Sequence, residues 1–145
     1  MKNRMEQGNI IKTGKGKATM LKNGIILVET DDNLVLEVED AKEFTSAVEK
    51  LAKGNKCLLI TNPGKNTTAG PEVRKYAASE EANRHIRARA IITQSFAQEL
   101  MANFFLRFNA QIIPTKLFHH REKAIKWLLG LSDKKPQVSL QKSKK

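Results

Sequence analysis

Four groups of residues in this chain are of types that do chemistry. His119 and His120 stand side by side, and histidine is the commonest protein ligand of transition metals. Adjacent histidines at a helix entry point in different directions, and no Cys or suitably spaced Asp or Glu joins them, so two ligands leave a metal site incomplete. The expectation is no metal, with one of the pair capping a helix that begins near Arg121. Cys57 is the one thiol and would need a base within hydrogen-bond reach to act as a nucleophile. It lies inside the apolar run Cys57-Leu58-Leu59-Ile60, where a cysteine behaves as a small buried hydrophobe. Lys65, Arg74, Lys75, Arg84, Arg87 and Arg89 form a basic group suited to a surface patch for an anionic or protein partner. Phe104, Phe105, Phe108 and Trp127 recur at helical spacing, which reads as core. Only Phe105 and Leu106 widen the apolar face enough to leave room for a ligand groove or a homodimer contact. There is no G-x-G-x-x-G, no P-loop and no paired carboxylates. No catalytic residue and no cofactor is therefore expected, and the chain is expected not to be an enzyme.

Composition bounds what these groups can belong to. A chain of 145 residues with 40% hydrophobic content can bury a core without metal or disulfide staples. A single cysteine excludes an intramolecular disulfide framework and suits a reducing compartment. The opening segment MKNRMEQGNIIKTGKGK is charged and leads into no apolar core, so no secretory signal is expected. No run approaches the roughly 18 apolar residues of a membrane span. The expected location is the cytoplasm. The net charge of +11 is unevenly placed: residues 1–60 hold 10 basic against 9 acidic residues, and residues 61–145 hold 16 against 6. Half of the second excess is Lys134, Lys135, Lys142, Lys144 and Lys145 in a stretch with no acid, which reads as a disordered basic tail over 132–145. Nucleic-acid association through the basic second half is one alternative function. The cluster lacks the interleaved aromatics that favour single strands.

The elements that must position these residues follow from periodicity. Residues 1–16 read as a flexible lead with Gly8, Gly14 and Gly16. Residues 17–28 carry two β-prone runs around Asn23-Gly24, a pair suited to a type I′ hairpin turn. Leu34–Val38 can add a strand. A helix follows, with Asp40 as N-cap, Glu43 completing a capping box, and Phe44, Ala47, Val48, Leu51 and Ala52 on one face, stopped at Gly54. Cys57–Ile60 reads as a strand buried on both faces. After the turn-rich residues 62–70, Pro71 opens a helix that breaks near Ser79 and resumes to Ile86. Ala88–Thr93 is the next buried strand, and Ser95 with Gln98 caps a helix whose Phe96, Ala97, Leu100, Met101, Phe104, Phe105 and Phe108 cover a sheet. Thr115–Phe118 is the last strand, and Ala124, Ile125, Trp127, Leu128 and Leu131 line the last helix. Alternating strands and helices require a largely parallel sheet, with the hairpin at one edge. The predicted fold class is α/β, one domain over 17–131 with about four helices.

That order resembles the STAS-like and SpoIIAA-like domains, small bacterial α/β domains, and within them a stand-alone, uncharacterised SpoIIAA-like group. The resemblance is carried by EVRKYAASEEANRH at 72–85, ARAIITQSFAQELMANFFLRF at 88–108 and IPTKLFHHREKAIKWL at 113–128. It implies a non-enzymatic domain that binds a protein partner or a small ligand, under phosphorylation control in some relatives. In anti-sigma antagonists of this fold a phosphorylated Ser or Thr precedes the helix after the second central strand. The matching place here holds Thr67 and Thr68. The chain departs from that pattern, with Asn66 where the relatives carry an Asp, Pro71 removing an N–H, and Glu72 repelling phosphate. A protein-interaction module is the leading expectation, nucleic-acid association and a small apolar-ligand carrier the alternatives.

Overall fold

The computed structural model describes residues 9–132; the remainder of the lead, and the basic tail from 133, lie outside the described residues. Eight strands and five helices alternate: β1 Ile10–Thr13, β2 Gly16–Met20, β3 Ile25–Thr30, β4 Val35–Leu36, α1 Val38–Ala52, β5 Cys57–Asn62, β6 Thr68–Ala69, α2 Pro71–Ala77, α3 Glu80–Asn83, β7 Ile86–Ile92, α4 Phe96–Phe108, β8 Thr115–Phe118 and α5 Arg121–Ser132. The main sheet has the order β1-β2-β3-β5-β7-β8, and β4 pairs with β6 in a separate two-stranded ladder. β1, β2 and β3 are antiparallel, whereas β3, β5, β7 and β8 run parallel. The predicted class, a mixed and largely parallel sheet with an N-terminal hairpin, is the observed one.

The parallel strands are apolar without alternation because both of their faces are covered. Ile26, Val28, Cys57 and Leu59 point to one face, where Phe44, Ala47, Val48, Leu51 and Ala52 of α1 pack on them. Ile25, Leu27, Leu58, Ile60, Ala88 and Ala90 point to the other, against Ala124 and Leu128 of α5. Each fully buried Ile or Leu in these layers contributes on the order of 2 kcal/mol. The crossovers from β3 to β5, β5 to β7 and β7 to β8 move one way along the sheet.

Four expectations about the first half are corrected. Ile10–Thr13, placed in a flexible lead, is strand β1; it pairs with β2, and Ile11 packs against the core of the α1 face. The hairpin at Asn23-Gly24 exists, but its turn is not type I′. Only Gly24 has positive φ, at 87°, Gly24 N–H donates to the Leu21 carbonyl at 3.0 Å and Leu21 N–H to Ile25 at 2.8 Å. That is a three-residue loop with the glycine in the left-handed position. The Leu34–Val38 segment yields only the two-residue β4, outside the main sheet. The N-cap of α1 is Glu37, not Asp40. Asp40 is the third residue of the helix, its Oδ2 accepting from Glu37 N–H at 2.7 Å and from Lys15 Nζ at 2.8 Å. Partial desolvation pulls the Asp40 carboxyl up, but Lys15 and the Glu37 N–H outweigh it and hold it below its ordinary 3.8.

Candidate functional site

On the α1 side of the sheet the helices do not close completely. Between the sheet, α1, α2 and α4 lies a cavity of ≈ 220 Å³. Its floor is Val28, Leu59 and Ile91, its sides are Phe44 and Val48 of α1 and Val73 of α2, and Met101, Ala102 and Phe105 of α4 roof it. β4 and β6 close one side through Leu36 and Ala69. Polar residues also stand in this wall, among them Thr67, Arg74, Tyr76, Arg89, Thr93 and Gln98.

Thr67 is one of them. The β3–β4 and β5–β6 connections are tied together residue by residue. Lys65 N–H donates to Asp32 Oδ1 at 2.7 Å and Asn33 N–H to the Lys65 carbonyl at 2.7 Å. Thr67 Oγ1 donates to the Asp31 carbonyl and accepts from Leu34 N–H at 3.1 Å. Asn33 and Asn66 supply the left-handed turns, with φ of 60° and 62°. Gln98 of α4 closes the same clasp, its Nε2 donating to the Gly64 carbonyl at 2.7 Å and its Oε1 accepting from Gln94 N–H at 2.9 Å. Thr67 is 2% exposed. As a phosphorylation candidate its hydroxyl is already committed to two backbone partners, and a kinase would have to open the clasp. Thr68 is half-buried in β6 and donates its N–H to the Leu34 carbonyl at 2.9 Å.

Arg89 is the second. Expected on the surface with the other basic residues, it is 7% exposed and lines the cavity. The reason is a bulge at the start of β7: Cys57 pairs with Ile86 and Leu58 with Ala88, so Arg87 is the extra, exposed residue. Beyond it Ala88, Ala90 and Ile92 face α5, and Arg89, Ile91 and Thr93 face the cavity. The guanidinium has five N–H donors but one long side-chain hydrogen bond, Nη1 to the Ala77 carbonyl at 3.4 Å. Among the described residues no carboxylate pairs with it. Burial pushes its pKa down to about 10, so it remains charged at neutral pH. Thr93 is buried too, and its Oγ1 has no hydrogen-bond partner.

Of the other basic candidates, Arg74 alone shares the cavity wall with it. Arg74 is half-buried at the cavity wall and donates to the Ala69 carbonyl at 2.7 Å. Lys65, Lys75, Arg84 and Arg87 are exposed. Burial pushes the Cys57 thiol up to about 11, which keeps it protonated at neutral pH. His119 Nε2 stands 3.9 Å from Glu99, and no three of His, Cys, Asp and Glu gather in a metal-holding arrangement among the described residues.

The aromatic candidates separate. Trp127 packs on Phe118 with ring centroids 5.6 Å apart, on the α5 face, away from the cavity. Phe105 is buried in the cavity roof. The α4 face predicted to cover the sheet is only partly used: Gln98, Ala102 and Phe105 are its buried residues. Phe96 is 78% exposed, Phe108 is 68% exposed, and Leu100 and Phe104 are exposed between them. These four positions repeat every four residues and form one stripe facing outward. Sequence reasoning missed Thr93 and Tyr76 as cavity residues and took Gln98 for a cap alone. β7 reads Ile-Arg-Ala-Arg-Ala-Ile-Ile, so the sequence alone places Arg87 and Arg89 on one face and does not separate them.

No helix among the described residues is long and apolar enough to cross a membrane. Among curated proteins none matches this chain. Among solved structures, the chain is similar to an uncharacterised protein of the DUF3478 family with a SpoIIAA-like fold from Shewanella loihica PV-4. That likeness has 17% identity and a TM-score of 0.47, and covers 82% of this chain and 90% of that one. A protein of unknown function from Arthrobacter sp. FB24 is 20% identical at a TM-score of 0.27, covering 81% and 95%. The expected likeness to an uncharacterised SpoIIAA-like protein is thus found. The profile of a domain of unknown function, DUF7793, matches residues 19–132, and the chain belongs to that family.

Proposed function

We propose that this chain is a non-enzymatic binding domain whose working site is the cavity under α1, α2 and α4, where it holds a small apolar ligand. The observation that carries the reading is the cavity itself. Well-packed interiors have few voids larger than a water molecule, and this one, at ≈ 220 Å³, is walled by apolar side chains with a few fixed polar groups. Pockets of that make-up are the usual form of a small-molecule site. Its volume falls below the range of about 300–1,000 Å³ typical of drug-sized ligands, so a compact ligand is required. The test is calorimetric titration of the full chain with 1-octanol, alongside Ala102→Leu, which places extra methyl groups in the cavity roof. Saturable binding that is lost in Ala102→Leu, with the thermal midpoint unchanged, supports the reading. Absence of saturable binding to the unaltered chain refutes it.

A second reading, a protein-interaction module, is favoured by the exposed Phe96, Leu100, Phe104 and Phe108 stripe. Contiguous apolar patches on a surface mark interaction sites more often than scattered ones do. Sedimentation over a concentration series, with Phe104→Ser/Phe108→Ser as control, distinguishes a homodimer from a monomer. The cytoplasmic location belongs to both readings.

A further inference from the structure

We propose that the ligand is an apolar monocarboxylate whose carboxylate sits on Arg89, a class that deepens, and rests on, the reading of the cavity as a small-ligand site. A buried charge is ordinarily paired or dense with hydrogen bonds. Arg89 has neither: its one side-chain bond is the 3.4 Å contact to Ala77, and Asn83 Nδ2 occupies the same carbonyl at 2.9 Å. Among the described residues the charged fork of donors in this wall thus has one long hydrogen bond and no carboxylate. What would satisfy it is an acceptor with two oxygens in one plane and one negative charge, which a carboxylate supplies and to which a guanidinium binds bidentately.

The remainder of the cavity defines the body of the ligand. Leu59, Ile91 and Phe105 line it on the floor and roof, so that part must be hydrocarbon. Thr93, also in the wall, stands four residues further along the chain, its Oγ1 buried with no hydrogen-bond partner among the described residues. A phosphate monoester would bring a second negative charge that this one guanidinium does not balance. Arg74, the other cation in the wall, is turned to the Ala69 carbonyl at 2.7 Å.

The experiment is calorimetric titration of the full chain with octanoate, 1-octanol and octyl phosphate, repeated on Arg89→Met and Arg89→Lys. The expected result is that octanoate binds about tenfold tighter than 1-octanol or better, the scale of one charge-assisted pair. Arg89→Met abolishes that preference while 1-octanol still binds, and Arg89→Lys retains part of it because charge survives without the planar fork. Equal affinity for octanoate and 1-octanol overturns the carboxylate assignment but leaves the cavity reading standing. So does tighter binding of octyl phosphate, or a preference for octanoate that survives in Arg89→Met. Binding of none of the three overturns both. The comparison of octanoate with 1-octanol on the unaltered chain needs no variant to fold.

Discussion

Replacing Arg89 with methionine should make the unliganded protein more stable, the reverse of what core substitutions usually do. Burial pulls this arginine down from the ordinary guanidinium range to about 10. The difference is worth about 3 kcal/mol at 1.36 kcal/mol for each factor of ten. For a base whose folded value is depressed, the charged form is the disfavoured one. At pH 7 the residue is protonated in both the folded and unfolded chain, so the full penalty applies. It is relieved only as pH rises above about 10, where the folded chain has already released its proton. Methionine keeps a long apolar stem and removes the charge. It forfeits the 3.4 Å bond to Ala77, worth about 1 kcal/mol at most. The expected net gain is about 1–3 kcal/mol, in line with buried ions exchanged for apolar side chains. Urea unfolding at pH 7 should show the midpoint rising by roughly 1 M at unchanged slope, for a slope near 2 kcal/mol/M. A variant less stable than the parent by about 1 kcal/mol or more would mean that the guanidinium is well satisfied in the free protein. The argument for a missing anion would then fail with it.

Thr67→Val should cost about 1–3 kcal/mol in urea unfolding, because Leu34 N–H and the Asp31 carbonyl lose their partner in a buried position; an unchanged midpoint would show the clasp to be dispensable. On α4, Phe105→Ala should cost about 3–5 kcal/mol as a buried large-to-small change, whereas Phe108→Ser should stay within about 0.5 kcal/mol. Paired thermal melts check that contrast, and equal losses would refute the assigned face. Gly16→Ala should disturb the N-terminal hairpin, since an added Cβ would lie 2.0 Å from the Glu29 carbonyl oxygen. Hydrogen exchange should report faster exchange of the β1 and β2 amides, and unaltered protection there would contradict it.

Much of the architecture is legible from period and punctuation. Asn23-Gly24 located a hairpin, the apolar faces of α1 and α5 were readable at 3.6 spacing, and the run at Cys57 placed a strand covered on both sides. What was not legible depends on contacts distant in sequence. The cap of α1 moved to Glu37 because Asp40 is also held by Lys15, 25 residues away. β1 is a strand because β2 offers it an edge; its four residues, Ile-Ile-Lys-Thr, are too short a run to stand out from the charged and glycine-bearing residues around them. α4 shows the same limit from the other side. Periodicity detects that a helix has a broad apolar face, and it has no way of saying which half of that face meets the sheet and which half stays in water.

The candidate site was hidden by the same kind of phase error, in a strand rather than a helix. A strand assigns its side chains to alternate faces, so one extra residue changes the meaning of what stands before and after it. In Ile86-Arg87-Ala88-Arg89 the two arginines have the same parity and read as one exposed pair. The bulge at Arg87 breaks that equivalence, leaving Arg87 in solvent and Arg89 in the cavity wall. A chain under selection for stability alone has an inexpensive way out, since a single substitution at Arg89 removes a buried charge worth about 3 kcal/mol. Local rules broken without an internal compensation tend to lie at functional sites. Arg89 breaks one in the wall of the cavity, with one long hydrogen bond among the described residues. A buried guanidinium given so little to bond by the residues around it is better explained by something that occupies the cavity than by an accident of packing.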